Sequence, residues 1–124
     1  AGTGPGEFNC PHGITVGNND RVYVMDRSNS RIQVFDESGE YVTEWAISGP
    51  NQAVISEDGV MYSASGQQIW ITTLEGEHLG SWGERGDEPW QFTGGPHGLW
   101  IDLHGDLYVG QVGAANGLNK YARI

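Results

Sequence analysis

A single cysteine, Cys10, in 124 residues excludes any disulfide within the chain and leaves the redox compartment undefined. Basic residues are scarce: six Lys and Arg stand against sixteen Asp and Glu, for a formal charge of −10. Such a chain is repelled by phosphate backbones and anionic lipid, so neither nucleic acid nor a membrane surface is expected as a partner. No apolar run approaches the roughly 20 residues that a membrane helix needs. No Asn-x-Ser/Thr glycosylation acceptor occurs. The chain opens at Ala1 with neither an initiator methionine nor a signal-peptide pattern, which reads as a processed or cut chain. Core formers are also sparse, at 37% hydrophobic residues, while glycine is plentiful at 20 residues. That balance disfavours a helical bundle and suits many short strands joined by tight turns.

What the sequence does contain is one phrase said three times. Pro11-His12-Gly13-Ile14-Thr15-Val16 leads into Arg21-Val22-Tyr23-Val24, and Pro96-His97-Gly98-Leu99-Trp100-Ile101 leads into Asp106-Leu107-Tyr108-Val109. A fainter copy runs from Pro50-Asn51-Gln52-Ala53-Val54-Ile55 to Gly59-Val60-Met61-Tyr62. The three prolines are 39 and 46 residues apart. A period near 40 built of short strands and turns predicts a β-propeller array. The chain therefore reads as one all-β segment, 1–124, with blades at about 9–46, 47–82 and 83–124.

The first unit predicts strands at 13–16, 21–25, 31–35 and 41–45, and the second at 52–56, 60–64, 69–73 and 78–82. The third predicts only 98–102, 107–110 and 117–121. Turn formers such as Glu37-Ser38-Gly39-Glu40 and Leu74-Glu75-Gly76-Glu77 separate them. Alternation in 31–35 places Ile32 and Val34 on one buried face. The count of four, four and three strands makes a partial propeller, half of a six-bladed ring, whose last edge needs a partner. Glycine-rich 1–8 is a poor strand for that edge. Phe8 and Phe92, at the ends of the linkers before the first and third units, are expected to plug gaps between blades. Two copies related by a two-fold axis would make six blades, so a homodimer is the economical way to complete the ring.

Tyr23-Val24-Met25-Asp26-Arg27-Ser28-Asn29-Ser30-Arg31-Ile32-Gln33-Val34-Phe35, following Pro11-His12-Gly13, resembles an NHL repeat. Within that superfamily the order of features is most similar to the carboxy-terminal half of peptidyl-α-hydroxyglycine α-amidating lyases. The resemblance implies a six-bladed ring with a zinc ion held on its axis by three histidines. It implies His12 and His97 as two of the ligands, with the third ligand and the catalytic tyrosine in blades this chain lacks. It also implies Arg27 as the residue that holds the substrate carboxylate, and a secreted or periplasmic location. The sequence departs from the lyases at Gly98, where they tend to carry an acidic residue.

Physical reasoning keeps other roles open beside these. In a ring of six, equivalent residues of first and third blades stand about 120° apart, the spacing three imidazoles need around one ion. Pro-His-Gly histidines also serve merely to hydrogen-bond within their turn. Arg27 could equally pair with Asp26 or Asp36, and Arg31 fits a structural arginine that braces one blade against the next. Cys10 reads as a buried structural cysteine, with a thiolate ligand as the alternative. Asn51 and Trp100 are candidates for the channel mouth, although Trp45, Trp70, Trp82 and Trp100 all suit packing between blades. His78 and His104 belong to hairpin turns at the rim. A structural calcium is conceivable among the many carboxylates, but no calcium-binding loop is recognisable. Two functions follow: a zinc-dependent carbon–nitrogen lyase, or a protein- or peptide-binding module that self-associates and performs no chemistry.

Overall fold

In the computed structural model, which describes residues 1–115 and 117–123, the chain forms three antiparallel sheets of four, four and three strands. The first sheet holds β1 (Pro11–Val16), β2 (Val22–Asp26), β3 (Arg31–Phe35) and β4 (Tyr41–Ala46) in sequence order. The second holds β5 (Pro50–Ile55), β6 (Met61–Ser65), β7 (Gln68–Thr72) and β8 (His78–Trp82). The third holds β9 (Gly95–Ile101), β10 (Leu107–Val112) and β11 (Leu118–Tyr121). The first strands of the three sheets are neighbours, β1 beside β5 and β5 beside β9, so the sheets fan out as blades from a shared inner edge. No α-helix occurs among the described residues.

Local chemistry sets the reversals. Asp36 Oδ1 accepts hydrogen bonds from the Ser38 and Glu40 N–H groups, and Asp102 Oδ1 accepts them from His104 and Asp106. Thr73 Oγ1 does the same for Glu75 and Glu77. Each of these turns places a glycine three residues on, Gly39, Gly76 or Gly105, at φ between 82° and 89°, a conformation that costs glycine little. His104 is thereby accounted for as a turn residue. His78 opens β8 rather than lying in the turn before it, with its ring 4.7 Å from that of Trp70.

Two apolar cores lie between the blades. Tyr23, Met25, Ile32 and Val34 of the first blade meet Ala53 and Met61 of the second, with Trp45 and Ile55 packed alongside. Val54, Ala64 and Ile69 of the second blade meet Leu99, Leu107 and Val109 of the third, with Phe92 wholly buried between them. Trp45 and Trp82 pack against these cores as expected. Trp100 does not, and is 69% exposed.

Strand β3 corrects one expectation, because all five of its residues are buried rather than alternate ones. The second face is covered by segment 1–8. Arg31 donates to the carbonyl oxygens of Thr3, Gly4 and Glu7, Gln33 donates to that of Glu7, and Phe8 lies against Phe35. Segment 1–8 thus braces the first blade and does not pair with the last. Phe92 fills a joint between blades as predicted, whereas Phe8 does so on one side only.

Candidate functional site

Each inner strand carries a proline at its first or second position and slips register by one residue just after it. Pro11 pairs with Asp26 and Gly13 with Met25, which leaves His12 unpaired. Pro50 and Gln52 pair with Ser65 and Ala64, skipping Asn51. Pro96 and Gly98 pair with Gln111 and Gly110, skipping His97. A β-bulge re-aims the side chain of the extra residue. Here three equivalent bulges bring His12, Asn51 and His97 to the shared inner edge.

The result is a contact between the first and third blades. The imidazole rings of His12 and His97 lie edge to face, with centroids 4.6 Å apart, although the residues are 85 positions apart in sequence. Backbone and side-chain hydrogen bonds fix the layer. The His12 Nδ1–H donates to the Asn51 carbonyl at 2.9 Å, and Asn51 Nδ2 donates to the Pro96 carbonyl at 3.1 Å. A carbonyl only accepts, so His12 carries a proton on Nδ1, and Nε2 is the nitrogen left to face a ligand. The same bond orients a metal-binding imidazole in many sites. Asn51 is buried, and its Oδ1 has no hydrogen-bond partner.

Gly13 is required by close approach. A Cβ there would stand 2.6 Å from the Asn51 carbonyl oxygen and 3.1 Å from Gln52 Cα, both backbone atoms of the next blade. Gly13→Ala is expected to cost roughly 1–3 kcal/mol, as overpacking does, and to displace His12. Thermal unfolding together with the His12 ring resonances in an NMR spectrum checks both effects.

Burial, the neighbouring His12 and the charge of Arg27, in that order, push the His97 pKa below the ordinary 6.5. The imidazole is therefore kept neutral, as ligation requires. The sign for stability follows from linkage: His97 costs nothing above 6.5, and its contribution is lost as pH falls below 6.5 toward its lower folded value. His97→Gln should accordingly flatten the stability–pH curve on the acid side of 6.5, read by urea unfolding at several pH values. An unchanged slope would contradict the assignment.

Arg27 opens a short 3₁₀ turn, Arg27–Asn29, and its N–H donates to the Cys10 carbonyl at 3.3 Å. It is exposed, and among the described residues it forms no ion pair with Asp26, Asp36 or any other carboxylate. Asp26 is engaged elsewhere, by Arg31 at 2.8 Å. Arg27 is thus a free cation that the His97 ring senses. Cys10 is exposed, not buried, because it sits at φ 56° in the turn entering β1. Trp100 lies in the same inner strand as His97, with its side chain open to solvent. Among the described residues no three His, Cys, Asp or Glu side chains converge. This chain supplies two imidazoles and the amide of Asn51.

These blades and their axial layer define a three-bladed segment of a β-propeller. Residues 8–35, which include the first three strands of its first blade, match the NHL repeat model. The chain is 34% identical to human NHL repeat-containing protein 3 over 138 aligned positions, covering 99% of this chain and 38% of that protein. It is 46% identical over 43 residues to Protein lin-41 of Caenorhabditis elegans, covering 35% of this chain and 4% of that protein. The segment thus spans well under half the length of these relatives. Among solved structures, virginiamycin B lyase from Staphylococcus aureus superposes with a TM-score of 0.65 at 18% identity, over 91% of this chain and 41% of that one. Hydrazine synthase of Kuenenia stuttgartiensis superposes with a TM-score of 0.70 at 16% identity, over 86% and 30%. Both likenesses are of fold.

Proposed function

We propose that the axial layer is part of the metal site of a lyase of the amidating type, acting on a peptide that ends in α-hydroxyglycine. The observation that carries this reading is the meeting of His12 and His97 across the inner edge, one with Nδ1 anchored and the other kept neutral. The donor set fits a zinc ion in part: two imidazoles from this chain, His12 held through its Nδ1–H and His97 with its pKa lowered by burial, with further ligands from the blades that complete the ring. Bound there, zinc would act as a Lewis acid toward the substrate's hydroxyl or carbonyl oxygen.

The chain's own residues supply binding and orientation. Arg27, exposed and without a carboxylate partner among the described residues, is suited to receive the substrate carboxylate through its planar guanidinium. His12 is fixed in rotation by the Asn51 carbonyl, so its Nε2 needs little reorganisation. In the reaction the hydroxyl loses its proton, the carbon–nitrogen bond breaks, and the leaving nitrogen takes a proton, giving a peptide amide and glyoxylate. The Tyr23 and Tyr108 hydroxyls donate to the Leu74 carbonyl and to Asp102, away from the site. These two hydroxyls are thus engaged elsewhere, and the resemblance places the lyases' catalytic tyrosine in blades beyond these three.

The test is to supply the zinc-loaded, assembled protein with a peptide ending in α-hydroxyglycine and to assay glyoxylate. Glyoxylate release is expected, and Arg27→Ala should raise KM about tenfold or more with a smaller effect on kcat, since it removes a charge-assisted contact to the substrate. No glyoxylate above the metal-free control would overturn the reading.

A further inference from the structure

The three inner strands lie side by side within the chain, β1 against β5 and β5 against β9, so the middle blade touches both histidine-bearing strands. Its own bulge residue is Asn51, not a third histidine. The register slip in β5 pairs Pro50 with Ser65 and Gln52 with Ala64, and leaves residue 51 without a partner on β6. Its carbonyl is thereby released from the ladder, and it accepts the His12 Nδ1–H of the first blade at 2.9 Å.

The side chain of Asn51 works in the other direction. Its Nδ2 donates to the Pro96 carbonyl at 3.1 Å, and Pro96 directly precedes His97 at the bulge of the third blade. Asn51 is 7% exposed, and its Oδ1 is buried with no hydrogen-bond partner among the described residues. A buried acceptor left unpaired is unfavourable, and an apolar side chain of the same shape would avoid that cost. What the amide contributes is therefore its donor. One residue holds His12 through its main chain and the His97 bulge through its side chain, and the two rings meet at 84° with centroids 4.6 Å apart.

We propose that Asn51 is the positioning residue of the axial layer, coupling the two imidazoles through the middle blade. The two halves of the device are separable, because substitution removes the side chain and leaves the carbonyl. Loss of the amide should free the His97 bulge while His12 keeps its tautomer. The consequence for metal rests on the reading of His12 and His97 as zinc ligands, where a supporting hydrogen bond is worth about 10- to 100-fold in affinity. The coupling itself does not rest on it.

Nuclear magnetic resonance of the metal-free chain at neutral pH tests the coupling. The unmodified protein should show a cross-relaxation peak between the His12 and His97 rings, together with His12 nitrogen shifts of the Nδ1–H tautomer. Asn51→Ala and Asn51→Leu should each lose the ring-to-ring peak and keep the tautomer signature. Asn51→Leu retains much of the shape of the amide and removes the unpaired Oδ1, so it guards against a variant that merely fails to fold. Ile69→Val removes one methyl group from the core between the second and third blades, and as the control for general loosening it should leave the peak in place. Absence of the peak in the unmodified chain, or a peak of unchanged intensity in both Asn51 variants, would overturn the proposal. So would its loss in Ile69→Val, or loss of the tautomer signature along with the peak. Zinc affinity is read separately, and both Asn51 variants should bind zinc about 10- to 100-fold more weakly. An unmodified chain that shows the ring contact but binds no zinc would remove the metal reading and leave the coupling standing.

Discussion

Asp26→Ala is expected to lower stability by about 3–5 kcal/mol, the cost of removing one partner from a buried ion pair. The Asp26 side chain is wholly buried and accepts four hydrogen bonds. They come from the Asn9 N–H, Asn29 Nδ2 and Arg31 Nε, each at 2.8 Å, and from Gln33 Nε2 at 3.1 Å. Arg31 in turn bonds Glu44 and the carbonyl oxygens of segment 1–8. Without Asp26, the Arg31 guanidinium stays buried with its Nε unpaired. Midpoint temperature should fall by roughly 10 °C or more. Asp26→Asn should lie between, because the amide keeps one acceptor oxygen but loses the charge.

The pH dependence gives this prediction a second readout. Burial by itself would raise the Asp26 pKa, but the donors from Asn9, Asn29, Arg31 and Gln33 outweigh it and hold the carboxyl below the ordinary 3.8. The stabilisation is therefore fully present above 3.8 and is lost as pH falls below it through the depressed value. Unmodified and Asp26→Ala chains should converge in stability in that acid range. The same network reaches the site, since Asp26 pairs with Pro11 in the sheet and directly precedes Arg27.

The second large effect is on metal. His12→Ala or His97→Ala should each weaken zinc binding by more than about 100-fold, beyond the 10- to 100-fold that loss of a supporting hydrogen bond typically produces. The double variant should bind no zinc at the axis. His97 is the more informative of the pair. Its pKa lies below the ordinary 6.5, so zinc should be retained on mild acidification longer than an unperturbed imidazole allows. Competition with a chromophoric chelator at several pH values measures both effects. Equal zinc affinity in unmodified and double-variant protein would remove the axial histidines from any metal role.

Much of this architecture was legible because the repeats give three versions of each position. The recurrence of proline before His12, Asn51 and His97 placed those residues at equivalent strand starts, and the structure brings the two histidines together there. The bulge that unpairs all three was not legible, because register depends on which residues the neighbouring strand offers. The burial of Gln33, and the tie of Arg31 to segment 1–8 rather than to the next blade, are not legible for a related reason. Their cover is glycine-rich and acts through backbone carbonyls, which leave no hydrophobic pattern in the sequence. Cys10 reads as buried because cysteine is among the most often buried residues, while its left-handed turn conformation places it at the surface. Trp100 reads as a packing residue because it is a tryptophan on an inner strand, yet its side chain is 69% exposed and joins neither core.

Zinc-edge X-ray absorption on the zinc-loaded protein tests the central claim most directly, since imidazole ligands leave a distinctive outer-shell scattering. The expected spectrum contains at least two imidazoles per zinc, and His12→Ala with His97→Ala together abolish that contribution. A spectrum of oxygen ligands alone, or one unchanged in the double variant, would contradict the account.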